Sequence, residues 1–205
     1  AGLGADQGVF FRTDHHWSGY GAYLGYVGFL KTHGSTDAAK EKDEASSSLR
    51  TEIPSYEDLG MTVLSDEFYG TLYSKVLLDS LQADAVETPA AALDADCKVT
   101  IEGKTYDSVY FKEFLDKKDK YAVYFGGNYD KVDVEMKDTE AGKKGSILII
   151  KDSFANSFVP FLMNDYSKIS MIDTRYYRGD VEKLAGGYDE VLVLYDIDNF
   201  ASEKI

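Results

Sequence analysis

A chain of 205 residues that is 44% apolar and 14% aromatic can bury a sizeable core, and is too rich in core-forming side chains for a disordered polypeptide. Its 22 Lys and Arg against 36 Asp and Glu give a formal charge of −14, so phosphate backbones and anionic membrane surfaces would repel it, and no basic cluster offers a local exception. That argues against nucleic-acid binding; such acidity suits a chain acting on neutral substrates such as carbohydrate, or serves plain solubility.

Cys97 is the single cysteine, so no internal disulfide forms, and Asp94 and Asp96 beside it would raise rather than lower a thiol pKa. An inert thiol is expected. No apolar run approaches the length of a membrane span. The opening Ala1-Gly2-Leu3-Gly4 is neither a signal peptide nor an initiator Met and reads as the start of a trimmed or mature chain.

After a short extended lead, Val9-Phe10-Phe11, Ser18 can cap a helix running to about His33. Tyr23, Leu24, Tyr26, Val27 and Leu30 recur at three- and four-residue spacing and form its buried face. Residues 34–50 are polar and small and read as an exposed excursion. From Asp66 to Leu81 the recurrence of Phe68, Leu72, Val76, Leu77 and Leu81 predicts a second helix, weakened by Gly70. Lys98 to Ile101, a turn at Glu102-Gly103-Lys104, and Thr105-Tyr106 predict a hairpin. Phe111 to Leu115 reads as a short helix, and Tyr121 to Phe125 and Lys131 to Met136 as strands around Gly126-Gly127-Asn128. Residues from about 95 to 136 are therefore expected to be a β-rich elaboration on a central sheet.

Ser146 to Ile150 is an uninterrupted apolar run suited to a strand buried on both faces. Lys151-Asp152-Ser153 follows, then a helix containing Phe158, Phe161 and Leu162. Lys168 to Ile172, Asp180 to Leu184 and Val191 to Tyr195 continue as strand, helix and strand. This alternation predicts an α/β fold with a parallel sheet and right-handed crossovers, one domain over residues 1–205.

Ligands of open parallel sheets bind at the carboxyl ends of the strands, where Ser153 would sit. A serine there raises its hydroxyl above the sheet edge, and amides opening the next helix could stabilise an oxyanion. The plainer alternative is that Asp152 or Ser153 only caps that helix. A nucleophilic serine needs a base, and His33 lies beside the polar excursion, so the base is His15 or His16. If Asp14-His15-His16-Trp17 is extended, Asp14 and His16 share a side while His15 points away. Asp14 could then fix the His16 tautomer and stabilise its imidazolium. A metal held by Asp14, His15 and His16 is the rival chemistry, but adjacent histidines rarely converge on one ion and no further ligand cluster completes the set.

Asp14-His-His-Trp17, Ser18-Gly-Tyr-Gly-Ala-Tyr23, Phe68-Tyr-Gly-Thr-Leu-Tyr73, Gly126-Gly-Asn-Tyr129, the stretch from Ile149 to Phe158 and Ile172-Asp-Thr-Arg-Tyr-Tyr177 occur in that order. Together they resemble the DHHW protein family of bacteria over nearly the whole chain. That family is similar to the SGNH-hydrolase-like acetyltransferases of alginate and other exopolysaccharides, which carry Asp-x-His-Trp and Gly-Asp-Ser motifs. The resemblance implies an SGNH-like three-layer α/β/α fold with a mostly parallel sheet, and leaves open that an N-terminal portion of it lies outside these residues. It implies a triad of Asp14, His16 and Ser153, with Trp17 packing beside them and the serine following Asp and His as in the permuted acetyltransferase branch.

Two departures stand out. Lys151 replaces the glycine usual before Asp-Ser, which would crowd the turn, and no Gly-x-Asn-Asp block is evident. Gly127 by its backbone N–H and Asn128 by its side-chain amide are the best substitutes as oxyanion donors, against an ordinary Gly-Gly-Asn turn. Arg175 could orient substrate in the same cleft, or pair with Asp173 or Asp180. Tyr176 and Tyr177 could stack on sugar or simply pack. The expected function is a serine-dependent esterase or O-acyltransferase, free of cofactors, acting on acetylated carbohydrate or cell-surface polysaccharide and secreted or surface-attached. The alternative is a non-catalytic carbohydrate-binding or cell-surface module that uses its tyrosines to stack sugars.

Overall fold

The computed structural model describes residues 8–33, 52–76, 80–137 and 145–202; the polar excursion expected at 34–50 lies outside them. The chain enters through a loop closed by an antiparallel bridge between Phe10 and Trp17. Ser18 then caps helix α1 (Gly19–His33), its hydroxyl accepting from the Gly21 amide at 3.1 Å, as its residue type and position predict.

Strand β1 (Thr62–Phe68) pairs antiparallel with β2 (Asp84–Thr88), and between them lies the short helix α2 (Thr71–Val76). This corrects the helix expected from Asp66. Phe68 is buried in the strand against Phe11, ring centroids 5.2 Å apart, whereas Leu72 and Val76 are exposed. The three-and-four spacing therefore spans two elements and marks no common face. After the four-residue α3 (Ala90–Leu93), β3 (Cys97–Ile101) and β4 (Lys104–Tyr106) form the predicted hairpin. Glu102 and Gly103 both hold positive φ, 49° and 76°, as a two-residue turn matching strand twist requires. Cys97 is buried in β3, and burial raises its thiol pKa.

Short 3₁₀ segments occupy Lys112–Phe114 and Lys120–Val123, the second where a strand was expected. β5 (Lys131–Met136) follows, then β6 (Ser146–Lys151), α4 (Ala155–Leu162), β7 (Lys168–Ile172), α5 (Val181–Ala185), β8 (Glu190–Leu194) and α6 (Ile197–Ser202).

β3 to β8 form one six-stranded sheet in the order β4-β3-β5-β7-β6-β8. β6 pairs parallel with β7 and β8, while the β3–β4, β3–β5 and β5–β7 pairings are antiparallel. The sheet is therefore mixed, not mostly parallel. Among the described residues the crossover helices α4 and α5 link the three parallel strands, whereas the tight turn between β3 and β4 makes that pair antiparallel. The β-rich stretch before β6 supplies three strands of this same sheet, with β5 against β7 at its centre.

Alternation along β6 explains its uninterrupted apolar sequence. Ile147 and Ile149 join the main core with Phe158, Val159 and Leu162 of α4 and Ala22 and Tyr26 of α1. Leu148 and Ile150 face the other way and, with Ile172, pack against Val181 and Leu184 of α5. Helices thus cover both faces of the sheet at its parallel end. No described helix is long and apolar enough to cross a membrane.

Ile149 is fully buried at the centre of this end, whereas Val191 of the edge strand β8 is 47% exposed. Ile149→Ala is expected to cost about 2–5 kcal/mol through lost burial and the cavity left behind. Val191→Ala should stay within about 1 kcal/mol. Urea unfolding of both variants measures the difference.

Candidate active site

The loop from Phe11 to His16 is a run of bends held between the Phe10–Trp17 bridge and a hydrogen bond from the Phe11 amide to the His16 carbonyl at 3.1 Å. It is fastened from outside by Asp84 of β2, whose carboxylate accepts from the Arg12 amide at 3.0 Å, the Thr13 amide at 2.8 Å and the Thr13 hydroxyl. The Thr13 hydroxyl in turn accepts from the Gly70 amide at 3.1 Å, and its carbonyl accepts from the Leu72 and Tyr73 amides at 3.0 Å. The loop and the start of α2 are one hydrogen-bonded unit.

Asp14 sits inside that unit, 3% exposed. Its Oδ1 accepts from the His16 amide at 3.0 Å and meets His16 Nδ1 at 2.6 Å. Its Oδ2 accepts from the Thr71 amide at 2.8 Å and the Thr71 hydroxyl at 3.0 Å. The bond to its own i+2 amide is an Asx turn, so a local turn aims the carboxylate at the imidazole, not the extended-strand alternation expected from the sequence. His15 does not point clear of the pair. Its exposed ring lies over His16 with centroids 3.9 Å apart, and its Nδ1 bonds the Thr71 hydroxyl at 2.9 Å.

Gly70 is what lets the Asp14 carboxylate come this close. A Cβ built there would lie 2.3 Å from both Cβ and Oδ2 of Asp14, so even an alanine would have to push the aspartate aside. Burial alone would raise the Asp14 pKa, but the bonds from the His16 ring and the Thr71 amide hold it well below the usual carboxylate range. Burial and the neighbouring His16 lower the His15 pKa.

Ser153 reaches the site from the other end of the chain. β6 ends at Lys151, and Asp152 turns the backbone, its Oδ1 accepting from the Phe154 amide at 2.9 Å just before α4 begins. Ser153 Oγ then lies 2.7 Å from His16 Nε2, across 137 residues of sequence. A carboxylate, an imidazole and an alcohol stand in one hydrogen-bonded row at the carboxyl end of a parallel strand. Such a row can move a proton from the hydroxyl to the ring while the carboxylate steadies the resulting imidazolium.

Three further residues support this row. Tyr121 stacks on His16, centroids 3.8 Å apart and planes 11° from parallel. Its hydroxyl donates to the Ser153 carbonyl at 2.9 Å and lies 3.0 Å from Ser157 Oγ. The Trp17 indole N–H reaches the Phe154 carbonyl at 3.0 Å and Ser157 Oγ at 2.8 Å, so Trp17 fixes the Ser153 turn by hydrogen bonds as well as by packing. Thr71 completes the shell around Asp14. Trp17 and Thr71 lie within motifs that the sequence singles out, and Tyr121 does not.

The remaining expected residues divide. Asn128 is linked to the residues around Ser153, its Oδ1 accepting from Lys151 Nζ at 2.9 Å and from Asn156 Nδ2 at 3.2 Å. The Gly127 carbonyl accepts from Asn156 Nδ2 at 3.4 Å. Lys151 does not crowd the turn, because its side chain folds inward beneath Asn128 and Asn156. Arg175 grips Asp173 through two bonds, Nε to Oδ1 at 2.8 Å and Nη2 to Oδ2 at 2.6 Å, the structural pairing weighed against a substrate role. Tyr176 is 51% exposed with the Arg175 guanidinium 5.5 Å from its ring centroid, while Tyr177 packs on the α5 side of the sheet. Ligand atoms of Asp14, His15 and His16 lie within 4.8 Å of one another, the one group among the described residues that could hold a metal ion. Both oxygens of Asp14 and both nitrogens of His16 already have partners, so an ion there would have to displace them.

Because the folded pKa of Asp14 is depressed, its contribution to stability is fully present above the unfolded carboxylate range, about pH 4, and is lost as pH falls below it. Asp14→Asn should therefore be clearly less stable than the parent at pH 7, with the gap closing as pH falls below about 4, measured by denaturant unfolding across pH. Gly70→Ala should lower thermal stability and slow any reaction that needs the Asp14–His16 bond by about tenfold or more, since sub-ångström misplacement of such groups is costly. Parallel thermal and ester-hydrolysis assays check both effects.

A family profile described as DHHW protein matches residues 4–172. None of the curated proteins matches the chain. Among solved structures, a DHHW family protein from Eubacterium siraeum aligns over 97% of this chain and 62% of its own, with TM-score 0.66 and 20% identity. PatB1 of Bacillus cereus aligns over 96% of this chain and 65% of its own, with TM-score 0.71 and 25% identity. The same protein with a sulfonyl adduct gives TM-score 0.69, 23% identity, and coverage of 96% and 63%. The chain thus spans a little under two thirds of the length of these structures. With the profile spanning most of its length and the fold shared throughout, the chain belongs to the DHHW protein family.

Proposed function

We propose that this protein is a serine-dependent esterase or O-acyltransferase acting on acetylated carbohydrate, with cell-surface polysaccharide as the substrate class and an extracellular or surface location. The observation that carries the reading is the row Asp14–His16–Ser153, with contacts of 2.6 Å and 2.7 Å at the two imidazole nitrogens. Ser153 Oγ attacks the acetyl carbonyl carbon as its proton passes to His16 Nε2. Asp14 keeps the other nitrogen protonated and steadies the imidazolium. The oxyanion of the tetrahedral intermediate is met by amides at the start of α4 and by the Asn128 side chain. Collapse breaks the ester bond, and His16 returns the proton to the departing sugar oxygen. Water or a second sugar hydroxyl, deprotonated by His16, then takes the acetyl group from Ser153.

A sulfonyl group bound to the similar PatB1 supports the same chemistry, since sulfonyl electrophiles report nucleophilic side chains. The acidic surface suits an uncharged polysaccharide, and exposed Tyr176 offers an aromatic face for sugar. Hydrolysis of p-nitrophenyl acetate tests the reading. Ser153→Ala and His16→Ala are each expected to lose about 10³-fold or more in kcat. A sulfonyl fluoride should add one group at Ser153 of the parent, read by peptide mass, and none in His16→Ala. Equal hydrolysis by the parent and Ser153→Ala would end the acyl-transfer reading.

A further inference from the structure

Lys151 closes β6 two residues before the nucleophile, and its side chain is 1% exposed. An ammonium is a costly group to bury, and burial lowers its pKa to about 8, a shift that nearby Asp173 and Asp152 partly offset and that Arg175 reinforces. Lys151 Nζ donates to Asn128 Oδ1 and to Asn156 Oδ1, each at 2.9 Å. Because an ammonium carries only donors, the atom of each amide that faces it must be oxygen, so donor chemistry fixes the orientation of both asparagines. Asn156, itself buried, spends its NH2 on Asn128 Oδ1 at 3.2 Å and the Gly127 carbonyl at 3.4 Å. Asn128 therefore has its oxygen held twice from beneath. Its NH2 is the half of the amide left to a ligand, and the residue is exposed. The Asn156 backbone N–H donates to the Ser153 carbonyl at 3.2 Å, so the clamp and the Ser153 turn share a residue.

We propose that Lys151 is a positioning residue that acts through Asn128, holding its amide with the NH2 turned outward to donate to the oxyanion formed at Ser153. This rests on the acyl-transfer reading above and goes beyond it, because it gives a purpose to the lysine that stands where a glycine is usual. The lysine touches neither substrate nor reacting atoms. Its effect passes through Asn128.

The test is a double-mutant cycle on p-nitrophenyl acetate hydrolysis. Asn128→Ala should lower kcat by about 10²-fold, as removal of one oxyanion donor does, with little change in KM. Lys151→Met should lower kcat in the same direction, and the double variant should be no slower than Asn128→Ala alone. Asn128→Asp keeps an acceptor for the ammonium but has no NH2. It should fall to the kcat of Asn128→Ala while its thermal midpoint stays at or above the parent's, and it decides the matter if Lys151→Met does not fold. Losses that multiply in the double variant, or parental kcat in Asn128→Asp, would overturn the positioning role while leaving the acyl-transfer reading intact. A parent that neither turns over the ester nor takes up a sulfonyl group would overturn both.

Discussion

The site depends on a buried carboxylate whose four hydrogen bonds come from two separate stretches of chain. Left unpaired, Asp14 would cost several kcal/mol to bury in its charged form and would take up a proton instead. Two bonds come from His16 and two from Thr71, so the charge that orients the imidazole also joins the entry loop to the start of α2. Gly70 is the steric condition for that junction and Asp84 its outer fastening. The imidazole is thereby held on three sides, by Asp14 at one nitrogen, by Ser153 at the other and by the Tyr121 ring across its face.

The two halves of the sheet have different tasks. The parallel trio β7-β6-β8 provides the open carboxyl end at which Ser153 emerges, with helices on both faces and a continuous apolar interior. The antiparallel half carries the 3₁₀ segment that presents Tyr121 and the glycine turn that presents Asn128. Phe125, Gly126 and Gly127 all have positive φ, at 63°, 79° and 138°, so this turn is bent sharply where it approaches Lys151 and Asn156.

The parts legible in the sequence were those governed by local pattern. The apolar runs of β6 and β7, the hairpin turn at Glu102-Gly103 and the Ser18 cap each answer to rules that span a few residues. Asp14 and His16 do share a side, but an Asx turn and not strand alternation aligns them. Tyr121 to Phe125 misled because Tyr, Val and Phe favour strands, whereas the segment is fixed as a 3₁₀ turn by contacts to Ser153 and Ser157 more than 30 residues away. The antiparallel half of the sheet was misjudged because strand direction follows from which strands meet, and composition carries no record of that. The clamp under Asn128 was hidden for the same reason: Lys151 and Asn128 are 23 residues apart, and only the folded chain shows what the ammonium faces.

Asp152 ties this chemistry to the far end of the described chain. One of its oxygens closes the turn before Ser153, while the other accepts from the Asp196 amide and from Asn199 Nδ2, each at 2.8 Å. The carboxylate is fully buried, so neither oxygen can exchange its partners for water without opening the structure. The Ser153 turn and α6 are therefore joined through a single buried carboxylate. Asn199 and Asp196 at α6 thus share one buried carboxylate with the turn that carries Ser153, although Ile197 and Phe200 of the same helix are exposed.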